Sequence, residues 1–268
     1  MGAPSMTALL LLALVPVIMW TVQSVLLRAA GLRLRWRIDP SEAPTHIRAA
    51  GRMTTQFCLF AVIACYPFLR QASILDYYRQ WLPNNRTAYQ SLEGAAAAVL
   101  CLALLYLVWL ATDRVQIKTH FSSKKLIKRL TLLIPTALFG AFVEELLFRG
   151  VVMADLLRTP AAAPIAVPAS ALVFAAAHYV RAVKRRWTFP GHLALGLVLG
   201  LAFLRTGALW LPMGIHAGGI FMTMGTRPFF WYKGPAWLTG ASIFPFAGAI
   251  GIVGLAVLAG FITWHYPG

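Results

Sequence analysis

Long apolar runs separated by short polar stretches make up the chain. About 20 apolar residues are needed to cross the hydrocarbon core of a bilayer. The pattern predicts eight spans, at roughly 6–27, 53–69, 95–111, 130–148, 161–180, 189–204, 207–223 and 241–263. The expected fold is therefore all-α, a polytopic membrane helix bundle of about eight transmembrane helices. No Lys or Arg precedes the first run, whose opening residues MGAPSM are uncharged, and a basic cluster follows it. That order suits an anchor with its N-terminus outside and does not suit a cleaved signal peptide.

The polar stretches test the span count, because cytoplasmic loops collect Lys and Arg. Those after the first and third spans hold Arg28, Arg33, Arg35, Arg37, Arg48 and Arg52, then Arg114, Lys118, Lys124, Lys125, Lys128 and Arg129. Those after the fifth and seventh hold Arg181, Lys184, Arg185 and Arg186, then Arg227 and Lys233, which brings the inside set to 18 of the 24 basic residues. Arg70, Arg79, Arg86, Arg149, Arg158 and Arg205 make up the remainder. The alternation puts both termini outside.

This distribution changes how the composition is understood. The chain is 268 residues long, 59% hydrophobic and 12% charged, with a formal net charge of +16 and a mean hydropathy of +0.71. Nucleic-acid binders gather basic residues on a solvated face, whereas here they lie between apolar runs, so topology and attraction to anionic lipid account for the charge. No nucleic-acid partner is expected. An Ala-, Arg- and Leu-rich composition points to a bacterium, and hence to its inner (plasma) membrane. Cys58, Cys65 and Cys101 all fall in apolar runs without CxxC spacing, which argues against a disulfide framework or structural zinc. They are expected to be small core residues. The longest outside segment, about 70–92, contains Asp76, Pro83 and Asn84–Asn85–Arg86 and is too short to be a domain.

Ionisable groups in hydrocarbon are costly, so the few that fall inside spans are the candidates for chemistry. Span 4 carries Glu144, Glu145 and Arg149, span 5 carries His178 four residues after Phe174, and span 7 carries His216. Neighbours on a helix diverge by about 100°, while residues four apart share a face. Glu145 therefore pairs with Arg149 in the favoured Glu-then-cation order. Glu144 is left facing elsewhere, the candidate general base of the set. His192, near the start of span 6, is expected to be a packing residue, and His46, His120 and His265 to be solvated. A buried network that only locks helices together is the alternative for the whole group. Two carboxylates, an arginine and two histidines spread over three spans argue against it, because each carries its own insertion penalty.

At these residues the chain resembles the CPBP (ABI) family, intramembrane proteases that include the CAAX-processing enzymes and the bacteriocin-processing and immunity proteins. Glu144-Glu145-x-x-x-Arg149 fits the family's EExxxR, Phe174-x-x-x-His178 its FxxxH, and His216 the histidine of its HxxxN or HxxxD. The resemblance covers about 130–223, a protease-like core between N-terminal helices (1–129, about three spans) and a C-terminal helix (224–268). It implies a glutamic-type, metal-independent CAAX-type endopeptidase in which Glu144 and His178 activate a water, Glu145, Arg149 and Phe174 organise the site, and His216 stabilises the oxyanion. The substrate implied is a membrane-associated protein or peptide. The family's Asn or Asp four residues after the last histidine is Ile220 here. Thr223, near the same helix face, or a backbone amide near Gly218 and Gly219 is the expected substitute donor.

Three rival readings remain open at this point. Zinc held by Glu144 or Glu145 with His178 and His216 is one, although no HExxH helix supports it. A proton-coupled transporter is another, without the pseudo-symmetric halves it would need. A non-catalytic membrane partner, such as an immunity protein, is the third. Around the site, Gly196-x-x-x-Gly200 permits close helix approach, Gly218-Gly219 leaves room beside His216, and Pro212 frees the carbonyl of Ala208 and bends span 7. The predicted boundaries set Glu144 near the outer end of span 4 and His178 near the inner end of span 5. The two share a depth only if helix 4 runs on to about Leu157 and the prolines 160, 164 and 168 delay helix 5.

Overall fold

The computed structural model describes residues 7–34, 43–83, 88–117, 122–158, 163–179, 188–240 and 244–267. Arg35, Arg37, Arg86, Lys118, His120, Arg181, Lys184, Arg185, Arg186 and the Asn84–Asn85 pair lie outside these. In chain order the helices are α1 (Thr7–Ala29), α2 (Thr45–Leu69), a short α3 (Ile74–Arg79), α4 (Gln90–Ala111) and α5 (Ser123–Glu145). After α5 come α6 (Ala154–Leu156), α7 (Ala163–Tyr179), α8 (Phe189–Thr206), α9 (Trp210–Thr226), a short α10 (Ala236–Thr239) and α11 (Ala249–His265). A π-helical segment, Leu146–Met153, joins α5 to α6 without a break.

A long helix occupies the position of each apolar run. Counting α5 with its continuation, five are long and apolar enough to cross a bilayer, whereas α7, α9 and α11 have 17 residues each. Leu10, Phe57, Leu104, Leu138 and Val257 are each more than half exposed. This apolar outer surface is what a bundle presents to lipid, where burying apolar side chains gives no driving force and packing against small residues takes its place. The protein is thus an all-α integral membrane bundle. Its tightest helix pair shows that packing: a Cβ on Gly94 would lie 2.5 Å from the Leu211 carbonyl oxygen, one on Gly218 would lie 2.6 Å from the Ala95 carbonyl oxygen, and one on Gly214 would collide with the Ser91 carbonyl.

The connections sort by side as the charge alternation requires. The stretches after the third and seventh spans meet in an antiparallel ribbon, β1 (Val115–Ile117) with β2 (Phe230–Tyr232), Val115 opposite Tyr232. It packs on Tyr106 and Trp109 and is closed by Lys233 on Asp113 at 3.0 Å. At the other end, the segment after α2 meets the connections after the fourth and sixth spans. The Leu209 amide donates to the Trp81 carbonyl at 2.8 Å, the Trp210 indole to the Pro83 carbonyl at 3.0 Å, and Arg70 pairs with Asp155.

Three expectations need correction. Helix α2 begins at Thr45, not 53, and takes in Arg48 and Arg52; long basic side chains in the first turns reach the interface from inside a helix. Cys58 is buried, but Cys65 is exposed on the outer face of α2, so it is not a core residue; all three thiols are free. Pro212 lies in the first turn of α9, where no intrahelical N–H bond is lost, so it does not bend the helix. The Ala208 carbonyl accepts from the Thr206 hydroxyl at 3.0 Å.

Candidate active site

Glu144 and Glu145 are the last two α-helical residues before the π-helical segment. Single π turns inside α-helices recur at functional sites because the wider turn redirects side chains and frees carbonyls. Here neighbouring elements occupy those carbonyls: the Tyr77 hydroxyl donates to Gly150 at 2.8 Å and the Ser170 hydroxyl to Phe148 at 2.9 Å. Inside the segment Arg149 is fully buried, as is Glu145, and its Nη1 lies 3.2 Å from Glu145 Oε1. Arg149 Nη2 donates to the Gly196 carbonyl at 3.0 Å, and the guanidinium stands 4.9 Å from the centre of the Phe174 ring. Phe174, itself fully buried, thus covers the cation while its own carbonyl meets His178 Nδ1 at 2.9 Å. Gly196 in turn allows α8 to lie against Ala171 of α7, where a Cβ would come within 2.8 Å of the backbone. Removing a cation from water is tolerated only with such an ion pair and hydrogen bond in place.

Glu144 points the other way, as the 100° offset requires. Its Oε2 lies 3.5 Å from His178 Nε2 and 3.7 Å from His216 Nε2. His216 Nδ1 faces Glu145 Oε1 at 2.7 Å. Both ring nitrogens of His216 therefore face carboxylates. Both His178 and His216 are turned by their Nδ1 contacts so that Nε2 faces Glu144. All three side chains line one chamber of about 580 Å³, walled mostly by apolar residues such as Leu102, Leu105 and Leu255. The two partners do share a depth: the helix of span 4 continues to Leu156, and α7 starts at Ala163.

One residue of this cluster was not foreseen in its role. His192, expected to be a packing residue, is buried at the start of α8 and stacks on His178, ring centres 4.7 Å apart and planes 25° apart. Its Nδ1 meets the Thr188 carbonyl at 2.8 Å, and Phe244 and Phe246 flank it edge-on. The only sequence signal was its apolar surroundings, and an interfacial histidine shares that signal. His46 and His265 are exposed, on α2 and at the end of α11.

Thr223 lines the same chamber, as does Ile220. The role expected for Thr223 needs correction. Seven helical residues separate it from His216, a rise of about 10 Å, and two donors that share one oxyanion must each lie about 3 Å from it. Thr223 cannot complete an oxyanion site built on His216. As to zinc, no group of three or more His, Cys, Asp or Glu with metal-holding geometry occurs among the described residues. The face-to-face stack keeps the ring nitrogens of His178 and His192 from converging on a common point.

No curated protein and no solved structure matches the chain. Residues 126–222, which carry Glu144, Glu145, Arg149, Phe174, His178 and His216, match the family model described as Type II CAAX prenyl endopeptidase Rce1-like.

Proposed function

We propose that the protein is a glutamic intramembrane endopeptidase that hydrolyses a peptide bond of a membrane-associated protein or peptide without a metal. The observation that carries this reading is one carboxylate oxygen of Glu144 standing 3.5 and 3.7 Å from the Nε2 atoms of two histidines on two other helices. Those separations exceed a direct hydrogen bond of about 2.7–3.2 Å and suit a water held among the three groups. Glu144 takes a proton from that water as its oxygen attacks the substrate carbonyl carbon, and His178 orients it. The proton then passes to the leaving nitrogen as the C–N bond breaks. His216 gives Nδ1–H to Glu145, and with a second proton on Nε2 it is a cationic donor for the oxyanion. A charge-assisted hydrogen bond is roughly twice as strong as a neutral one, which offsets part of the loss at Ile220, where an oxyanion donor ordinarily contributes about 10²–10³ in rate. Glu145, Arg149 and Phe174 hold His216 and the π-helical segment in place. The Ala-, Arg- and Leu-rich composition favours a bacterial inner membrane, and the charge alternation favours both termini outside.

The test is cleavage of a panel of quenched membrane-protein and peptide substrates by the purified protein in lipid. Glu144→Ala and His178→Ala are expected to abolish cleavage, and a strong chelator to leave it unchanged. Chelator-sensitive cleavage overturns the metal-free mechanism. Ile220 favours a second reading, a non-catalytic membrane partner of the same family. Well-folded Glu144→Ala and His178→Ala proteins that match wild type in vivo, with no cleavage by any of the three, would establish that reading instead.

A further inference from the structure

Thr223 is 3% exposed, lines the chamber, and its hydroxyl makes no hydrogen bond among the described residues. Threonines elsewhere in these helices do not leave theirs open. Thr54, Thr55, Thr131, Thr136, Thr206, Thr226 and Thr263 each donate to the carbonyl four residues back at 2.6–2.9 Å. This is the standard local solution for a helical hydroxyl in an apolar setting. Thr223 has the Gly219 carbonyl at that position and does not use it. A buried hydroxyl without a partner costs free energy unless something that enters the site completes it.

The surface between His216 and Thr223 is open. Gly219, one turn along the same face, has nothing within 4 Å of where a Cβ would stand, in contrast to Gly214 and Gly218, which face α4 backbone. Gly219 and Ile220 both belong to the chamber wall. A trough thus runs along α9 from His216, over a residue with no side chain, to an unsatisfied hydroxyl. The rise from His216 to Thr223 is about 10 Å, and an extended chain advances about 3.3 Å per residue.

Building on the protease reading above, we infer that substrate lies extended along α9 with its scissile carbonyl at His216, and that Thr223 Oγ1 hydrogen-bonds a substrate main-chain group about three residues from the scissile bond. Main-chain recognition leaves side chains free to vary, so the subsite accepts apolar sequences of no fixed motif. A chamber whose charged or imidazole-bearing lining, among the described residues, is Glu144, His178, His192 and His216 suits such a substrate.

The test reads binding, so that it does not depend on cleavage. Dansyl-labelled alanine- and leucine-based peptides, shortened residue by residue from either end, are titrated against the Glu144→Gln protein in nanodiscs. Adding Thr223→Val, which keeps the volume and removes the hydroxyl, is expected to weaken the longer peptides by about two- to ten-fold, the loss of one hydrogen bond. Peptides too short to reach Thr223 are expected to bind both proteins alike, Thr223→Ser to restore the affinity lost in Thr223→Val, and Gly219→Leu to weaken every peptide that crosses it. Equal affinity of both proteins for all lengths, or no binding of any peptide, overturns the inference. If the length-dependent loss appears while wild-type protein cleaves nothing, the protease reading fails and the trough stands as a peptide-binding site.

Discussion

Replacing Glu145 by leucine is expected to separate the structural part of the site from the chemical part. Glu145 and Arg149 are both fully buried, and the carboxylate is the only anion that contacts the guanidinium among the described residues. Glu145→Leu leaves Arg149 with the Gly196 carbonyl and the Phe174 face alone. Breaking a buried pair on one side typically costs about 3–5 kcal/mol, because the remaining charge is uncompensated. Adding Arg149→Met removes that charge and fills similar volume, so the double variant should recover to within about 1 kcal/mol of wild type. Activity should not return, since His216 Nδ1, 2.7 Å from Glu145 Oε1, loses its acceptor in both proteins and with it the fixed ring orientation. Equilibrium unfolding in bicelles, followed by near-UV circular dichroism, gives the stabilities, and the quenched-substrate assay gives the activities. A single variant within about 1 kcal/mol of wild type, or a double variant no more stable than the single, would refute the argument that Arg149 depends on Glu145.

Three further outcomes follow from the same geometry. His192→Phe keeps a flat ring beside His178, ring centres 4.7 Å apart in wild type, but loses the Nδ1 contact to the Thr188 carbonyl that holds the stack, so it is expected to leave the fold intact and to slow cleavage; cleavage equal to wild type would make His192 a packing residue. Gly214→Ala should destabilise the bundle by about 1–3 kcal/mol or more, since its methyl meets the Ser91 backbone, whereas Gly219→Ala, with open space beside it, should be neutral in the same unfolding assay. Lys233 beside Asp113 holds that carboxyl below its ordinary value through a hydrogen bond and its charge. The pair's small contribution to the β1–β2 ribbon is therefore present above the ordinary carboxylate pKa and lost as the pH falls through the lowered folded-state value. Low-salt unfolding from pH 6 to 2 should show this dependence in wild type and not in Asp113→Asn.

The eight helices were legible because hydrocarbon imposes a length and a composition on whatever crosses it. The Glu145–Arg149 pair and the divergence of Glu144 followed from helix periodicity alone. What stayed hidden depends on the third dimension. His192 looks like any interfacial histidine until α8 is set against α7, and nothing in Gly191-His192-Leu193 announces a stack on a residue 14 positions earlier. The π-helical segment is equally silent, since its carbonyls are occupied by Tyr77 and Ser170 from distant parts of the chain. Thr223 failed for a different reason: sharing a helix face with His216 is an angular statement, and the axial distance of two turns decides what the two groups can hold between them. The ribbon went unseen because three-residue strands leave no periodicity to read.

Mutual pairing explains why so many ionisable groups coexist in a bilayer. From Ser123 to Leu156 the α5 helix and its continuation rise about 50 Å, well beyond a hydrocarbon core of about 30 Å, so Lys124, Lys128 and Arg129 near its start lie outside the core. Glu144 stands 12 residues, about 18 Å, before Leu156. With Leu156 at one boundary, the carboxylate is some 12 Å from the other. α7 ends one residue after His178, and α8 begins three residues before His192. Both histidines therefore flank the basic stretch between α7 and α8. Near mid-depth an ionisable group is tolerated only where it pairs with another or faces a polar cavity, and Glu144, His178 and His216 do both, facing one another across one chamber. The chamber around them is walled mostly by apolar residues, and the trough along α9 runs from His216 toward the same end. A hydrolytic site in a bilayer needs both conditions, ionisable groups that satisfy one another and an apolar channel for the chain to be cut, and α7, α8 and α9 packed beside the over-long α5 supply them together.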